Sequence, residues 1–338
     1  MLAGAPILSL KQFLTPLFEQ QTLSRDDAHA ALSQLGQGAA NAAETAAFLA
    51  VYRMRPITVP ELAGFRDALL DLCRDPQLGT RDVLDIVGTG GDGKDTFNIS
   101  TLACFVVAGA GHKVAKHGNI GVSSICGSSN ILAHFGYDFE ASSDALRRQL
   151  DAASICFLHA PAFHPAMRHA GPIRRELGVR TFFNILGPLV NPARPKAQLA
   201  GVFSLELLRL YHYLFQQTDT SYAVVHALDG YDELSLTGAA KVVSRRGEQL
   251  LVPADLDLPA YAAAELAGGS TVAESAALFL GVLEGRATAA QRDVVTANAA
   301  LGIQCVVPAL SFAEALDQAR ESLDSGRARE ALRQLLAA

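Results

Sequence analysis

The run from Asp85 to Ser128 limits what this chain can become more than any other stretch. Val83 to Val87 has the length and apolar character of a buried strand. It ends in Gly88-Thr89-Gly90-Gly91-Asp92-Gly93, four glycines in six residues. Such a turn bends sharply and lets a ligand reach the backbone with no Cβ in the way. A helix is expected next, starting near Asn98-Ile99-Ser100-Thr101 and continuing through LACFVVAGAG. Strand, glycine turn and helix N-terminus together cradle an anion, because free N–H groups and the helix dipole both favour negative charge there. Lys116-His117-Gly118-Asn119 follows at the end of the next strand. A second loop of small residues, Gly121 to Ser129, then leads into another helix.

The glycine turn is not a P-loop, which requires Gly-Lys-Ser/Thr after four intervening residues. Gly88, Gly90 and Gly93 do space as a dinucleotide-binding turn. No acidic residue follows the next strand, Lys113 to Ala115, where a ribose contact belongs, so a dehydrogenase is disfavoured. Taken alone, the turn has a plain structural βα turn as its rival.

The rest of the chain is globular in character. A length of 338 residues suits one catalytic domain plus a smaller helical one. Half the residues are hydrophobic and 18% are charged, which supports a large core and argues against disorder. Apolar runs such as Ile155 to Phe163 are too short to span a bilayer, and the N-terminus lacks a basic-then-apolar secretion pattern. Cysteines 73, 104, 126, 156 and 305 are scattered without a Cys-x-x-Cys pair, the pattern of reduced thiols. Cys104 and Cys156 lie in apolar runs and read as core residues. Together these features predict a cytoplasmic protein with no membrane partner. A net charge of −6 argues against a nucleic-acid partner.

Residues 1 to 75 read as helical. Leu10, Phe13, Leu14, Leu17 and Phe18 recur at helical spacing. Ser24 with Asp27 predicts a capped helix ending near Gly36, and Asn41 with Glu44 and Thr58 with Glu61 resemble capping boxes. Leu62, Phe65 and Leu69 form one apolar stripe. No chemistry is visible here, and the apolar faces serve packing or a dimer interface. Strands are expected at 83–87, 113–116, 154–159, 199–203 and 221–227, with helices between most of them. This alternation predicts a largely parallel sheet. Pro161 to Pro195, with six prolines, interrupts it. A β-rich excursion is expected at 240–260, helices from about Ser270, and one solvated helix from Phe312 to Leu336.

Four places hold candidate chemistry. Ser100 and Thr101 at a helix start suit a phosphate or a metal shell, although simple N-capping is the commoner use of such residues. Lys116 at a strand end suits a phosphate as a point charge. His117 is a candidate base because histidine's reference pKa lies near neutrality, but a lone histidine is more often structural. Asp232 and Glu233, with Asp229, follow the apolar strand that ends near 228. Adjacent carboxylates opposite a phosphate loop suit Mg2+, since such a cluster is self-repelling without a cation.

The series Gly-Thr-Gly-Gly-Asp, Asn-Ile-Ser-Thr, Lys-His-Gly-Asn, Val-Ser-Ser and Gly-Ser resembles the anthranilate phosphoribosyltransferase family. So do the segments from His164 to Pro195 and from Asp229 to Gly238, and the likeness extends from about Leu10 to Ala338. The resemblance implies an α/β protein with a small all-helical N-terminal domain, a large α/β domain with a mostly parallel central sheet, and an active site in the cleft between them. The helical domain is expected at 1–78 with a return at 162–195, and the α/β domain at 79–161 and 196–338. Phosphoribosyl pyrophosphate (PRPP) contacts are implied at Gly88, Gly91, Asp92, Thr96, Asn98, Ile99, Ser100 and Thr101. More are implied along Lys116, His117, Gly118, Asn119, Ile120, Gly121, Val122, Ser123 and Ser124, and at Ser128. Anthranilate contacts are implied at Gly88, Asn119 and Arg174, where an arginine can grip a carboxylate with two parallel hydrogen bonds. Arg175 is the near neighbour, but adjacent helical residues point about 100° apart, so one of the two faces the site. Metal ligands are implied at Ser100, Asp232 and Glu233 for Mg2+, and a homodimer is implied. No catalytic general base is assigned. Two departures stand out: Ile120 replaces the family's usual arginine, and Ser129-Asn130 replaces Ala-Asp. A nucleoside phosphorylase of the same fold and a non-catalytic nucleic-acid-binding relative are the alternatives.

Overall fold

Short capping signals set the helices of the first segment. Helix α1 (Lys11–Phe18) buries Phe13, Leu14 and Leu17, whereas Phe18 is 61% exposed and leaves the expected stripe. Ser24 accepts the Asp27 N–H ahead of α2 (Arg25–Gly36). Asn41 with Glu44 and Thr58 with Glu61 close reciprocal capping boxes ahead of α3 (Ala42–Met54) and α4 (Val59–Asp71). In the computed structural model the described residues are 9–121 and 125–338. Two units emerge, Met1–Asp75 with Pro161–Pro192, and Pro76–Ala160 with Ala193–Ala338.

In the first unit, Glu61 is a fully buried cap. It accepts from Leu23 N (3.0 Å), Tyr52 Oη (3.0 Å), Thr58 Oγ1 (2.8 Å) and the Arg55 guanidinium. Burial by itself would raise its pKa, but Arg55 and these donors hold the carboxyl below its usual value. The returning segment docks through Phe182, whose ring stacks on Phe65 at 4.6 Å and meets Phe48 and Tyr52 edge-on.

The same segment supplies a buried histidine. His164 is 4% exposed and meets Val190 O at 2.9 Å. Burial pushes its pKa down to about 4, against backbone hydrogen bonds to Val190 and Leu69 that raise it. The folded chain therefore holds it neutral while the unfolded chain takes up a proton near pH 6.5. Its stabilising contribution is present above about pH 6.5 and is lost as pH falls toward 4, with about 2 kcal/mol gone by pH 5. Denaturant midpoints at pH 7 and pH 5 are expected to separate more for the parent than for His164→Gln. Equal separations would contradict this.

The second unit runs β1 (Leu84–Gly88), α5 (Ile99–Gly109), β2 (Val114–Gly118), α6 (Ser128–His134), α7 (Ser143–Ala152) and β3 (Ile155–His159). Helices α8 (Ala160–Phe163) and α9 (Met167–Leu177) follow, and the chain belongs to the first unit from Pro161 onward. The chain resumes with β4 (Ala197–Gly201), α10 (Leu205–Gln216), β5 (Ser221–Ala227), β6 (Ala240–Ser244) and β7 (Gly247–Leu251). It ends in α11 (Val272–Leu283), α12 (Ala289–Val306), α13 (Phe312–Asp324) and α14 (Arg327–Ala337). The single terminal helix expected from Phe312 to Leu336 is thus two helices. Gly326, at φ 78°, breaks them, and each buries a face rather than lying in solvent.

The sheet order is β3-β2-β1-β4-β5-β6-β7, parallel through β5 and antiparallel beyond. Helix α5 is apolar on nearly every face, and α12 and α14 pack around it, so it forms the centre of the core. The direction of winding reverses between β1 and β4, and ligands of such sheets bind outside the carboxyl ends of strands at that point.

Candidate functional site

The carboxyl ends of β1 and β4 are built for close approach. Gly88 and Gly201 end these strands as register partners, and Thr89 N donates to Gly201 O at 2.9 Å. Asp232 lies directly on them. A Cβ on Gly201 would stand 1.6 Å from the Asp232 carbonyl oxygen, and one on Gly88 would stand 2.3 Å from Asp232 Oδ2. Beyond Gly88 the turn takes left-handed backbone at Gly90, Gly91 and Gly93 (φ 62°, 78° and 72°), which explains its glycines.

The turn and the start of α5 wrap the acid pair. Gly90 N donates to Asp232 Oδ2 at 2.7 Å, and Ser100 N donates to Glu233 Oε1 at 3.1 Å. Thr96 Oγ1 donates to Glu233 Oε2 at 3.4 Å. Glu233 therefore sits at the positive end of the helix dipole. Asp232 is buried, and burial followed by the neighbouring Asp92 raises its carboxyl to about 7. Glu233 is pushed well above its usual value by burial, then by Asp232 and Asp92. Among the described residues no lysine or arginine forms an ion pair with either carboxylate. Nor, among those residues, do three or more His, Cys, Asp or Glu gather around a metal-sized space. Two self-repelling carboxylates without a basic partner nevertheless fit a hard cation that takes few protein ligands and keeps its waters.

Other expected residues fall on the same sheet end. Gly91 and Asp92 lie in the turn, and Asp92 Oδ1 accepts from Lys94 N at 3.2 Å. Asn98 precedes α5 and donates from Nδ2 to Cys126 O at 2.9 Å. Ile99 and Thr101 bury their side chains. Gly118 ends β2, and Asn119, Ile120 and Gly121 follow it, with Ile120 54% exposed. Ser128 opens α6. Val122, Ser123 and Ser124 lie outside the described residues.

Lys116 departs from the expectation of a phosphate-facing point charge. It is 2% exposed, and its Nζ donates to Ile86 O at 2.7 Å. β1 pairs with β2 at Leu84 and Val114, and further along side chains bridge the two strands. Lys116 Nζ meets Ile86 O, and Asp85 Oδ1 accepts the His117 N–H at 3.2 Å. His117 is likewise buried, at 4% exposure.

In the first unit, α9 carries Arg174 half-buried and Arg175 exposed. The Arg174 guanidinium lies 5.1 Å from the Phe183 ring centroid, and its Nη2 donates to Asn184 Oδ1 at 3.4 Å. Burial lowers its pKa, and among the described residues it has no carboxylate partner. Those are the conditions in which an arginine grips an incoming carboxylate.

Two residues that support the site are not evident from the sequence. Gly201 is one. Asn298 is the other: it is 3% exposed in α12, accepts from Leu234 N at 3.1 Å, and donates to Leu234 O at 2.9 Å and Val294 O at 2.8 Å. It clasps the peptide immediately after the acid pair. The only sequence signal is an amide inside an otherwise apolar helical run.

A glycine turn facing an acid pair at the switch point of a mostly parallel sheet, in a chain that also carries a separate helical unit, defines a class. Residues 80–329 match the α/β domain of a glycosyl transferase family, and residues 11–73 match its helical bundle domain. The chain belongs to that family. It is 54% identical to the anthranilate phosphoribosyltransferase of Cytophaga hutchinsonii over 95% of this chain and 98% of that one. The Thermus thermophilus anthranilate phosphoribosyltransferase crystal structure superposes with a TM-score of 0.90 at 37% identity, covering 96% of this chain and 98% of that one. The Saccharomyces cerevisiae enzyme, solved in complex with PRPP and Mg, gives 0.89 at 28% identity with 97% of each chain covered. No helix among the described residues is long and apolar enough to cross a membrane.

Proposed function

We infer that this chain transfers the 5-phosphoribosyl group from PRPP to the amine of anthranilate, giving N-(5-phosphoribosyl)anthranilate and pyrophosphate. The observation that carries this reading is the acid pair seated on Gly88 and Gly201, facing the glycine turn and the α5 N-terminus. Likeness to anthranilate phosphoribosyltransferases along nearly the whole chain supports the choice of substrates.

The donor's phosphates lie along the glycine turn from Gly88 to Asp92, Thr96, and the Asn98-Ile99-Ser100-Thr101 start of α5. The Lys116-to-Ser124 stretch and Ser128 complete this site. Arg174 binds the acceptor's carboxylate, with Gly88 and Asn119 at its ring and amine. Asp232, Glu233 and Ser100 hold Mg2+, which when bound supplies positive charge against the departing pyrophosphate. A neutral aromatic amine attacks C1 of the ribose, and this step asks the protein for positioning and leaving-group stabilisation more than for a base. Lys116 contributes by fixing the end of β1. A homodimer and a cytoplasmic location complete the reading. Exposed Phe18 and Met54 offer apolar surface to a second copy. Four of the five free cysteines are buried, in keeping with a reducing compartment.

Mass-spectrometric detection of both products from the two substrates tests the reaction. Phosphate-dependent cleavage of a nucleoside instead would overturn it. A narrower expectation concerns the crowding at β4. Gly201→Ala must displace the Asp232 backbone, and a displacement of about 1 Å costs roughly 10²-fold in turnover. Steady-state kinetics on the folded variant check this, and parent-like turnover would contradict it.

A further inference from the structure

The first turn of α6 grips the loop that joins it to β2. Ser129 N donates to Asn119 O at 3.1 Å, and Ser128 Oγ donates to the same oxygen at 3.4 Å. The Asn130 side chain does more: its Oδ1 accepts both Gly121 N at 2.9 Å and Gly127 N at 3.0 Å. One carboxamide oxygen therefore joins the outgoing and returning arms of the loop. The arms are in direct contact, since a Cβ on Gly127 would stand 2.3 Å from Gly121 N and 2.7 Å from Asn119 O.

The turn is itself anchored from behind. Ser129 is 1% exposed, and its Oγ lies 2.9 Å from Nδ1 of His159, the last residue of β3. The Phe139 ring packs 4.5 Å from the His159 ring. His159 pairs in register with Gly118, the residue before the loop begins. From the other side, Asn98 at the start of α5 holds Cys126 O. Asn130 supplies the acceptor without a charge, and Ser129 supplies the hydroxyl that His159 engages.

We propose that Asn130 is a positioning residue for the phosphoribosyl donor: it sets the spacing of the two loop arms at Gly121 and Gly127, on a turn fixed by the Ser129–His159 pair. This rests on the donor-site reading above. It makes donor affinity, and not acceptor affinity, depend on an amide that need not touch either substrate.

The test compares the parent with Asn130→Ala, Asn130→Asp and Ser129→Ala, measuring both KM values, kcat, Tm and calorimetric binding of PRPP with Mg2+. Asn130→Ala is expected to raise the KM and Kd for PRPP about tenfold or more, the scale of one to two lost neutral hydrogen bonds. The KM for anthranilate should stay within about twofold. Asn130→Asp, which keeps the acceptor, should recover donor affinity to within about threefold of the parent. Ser129→Ala should fall between, at about threefold to fivefold. Unchanged donor affinity in Asn130→Ala, or equal rises in both KM values, overturns the proposal. If Asn130→Ala does not fold, Ser129→Ala decides, and donor affinity equal to the parent's overturns it. A parent that binds PRPP but does not consume anthranilate would defeat the functional reading instead, and the calorimetric series would still judge the clasp.

Discussion

Replacing Asp232 by Asn and Glu233 by Gln together is expected to lower kcat/KM by about 10³-fold or more while leaving the fold at least as stable. The loss follows from the charge the pair supplies to hold a cation against the pyrophosphate, an electrostatic contribution of several kcal/mol. Stability moves the other way because the pair is costly to the empty fold. Burial raises both carboxyls, helped by Asp92 beside Asp232, which reaches about 7, and by Asp232 and Asp92 beside Glu233. The amides keep an oxygen to accept from Gly90 N and Ser100 N while removing the repulsion. Strain that serves a site and not the fold is relieved when the site is removed. Turnover and Tm measured on one preparation check this. Parent-like kinetics would remove the metal assignment, and a collapse of Tm would make the pair structural.

The second large effect belongs to Arg174→Ala. A half-buried guanidinium, backed by Phe183 and Asn184 and lacking a carboxylate partner among the described residues, holds a charge in reserve. Hydrogen bonds to charged groups are worth about 1.5–3 kcal/mol each, so the KM for anthranilate should rise about 10- to 150-fold. The KM for PRPP should move little. Arg175→Ala, at an exposed position one residue on, should change neither. Steady-state kinetics with each substrate varied in turn separate these outcomes. A defect confined to PRPP would move Arg174 to the donor.

Local signals were legible where the chemistry is local. An apolar run stopped by glycines marks β1 and its turn, and side-chain oxygens three residues ahead of a glutamate mark the starts of α3 and α4. The acid pair was legible because adjacent carboxylates at a strand end need a reason. Gly201 was not, since its requirement comes from Asp232 pressing on it across the sheet, 31 residues later in the chain. Asn298 was hidden for the same reason, its partner Leu234 lying 64 residues away. The sequence gives no sign of where the Lys116 ammonium goes, because a lysine at a strand end suggests a free charge. Beyond the Leu84–Val114 register pair, however, the ammonium turns back onto the Ile86 carbonyl of β1. The break at Gly326 was available in principle, as glycine within a helical pattern is a common stop, but the apolar spacing continues on both sides of it.

Loss of anthranilate fluorescence on mixing purified protein with PRPP, first with Mg2+ and then with excess chelator, tests the central claim most directly. The reading predicts loss with Mg2+ and none with chelator. Folded protein that leaves the fluorescence unchanged under both conditions would contradict the assigned reaction. Equal loss under both would contradict the role given to Asp232 and Glu233.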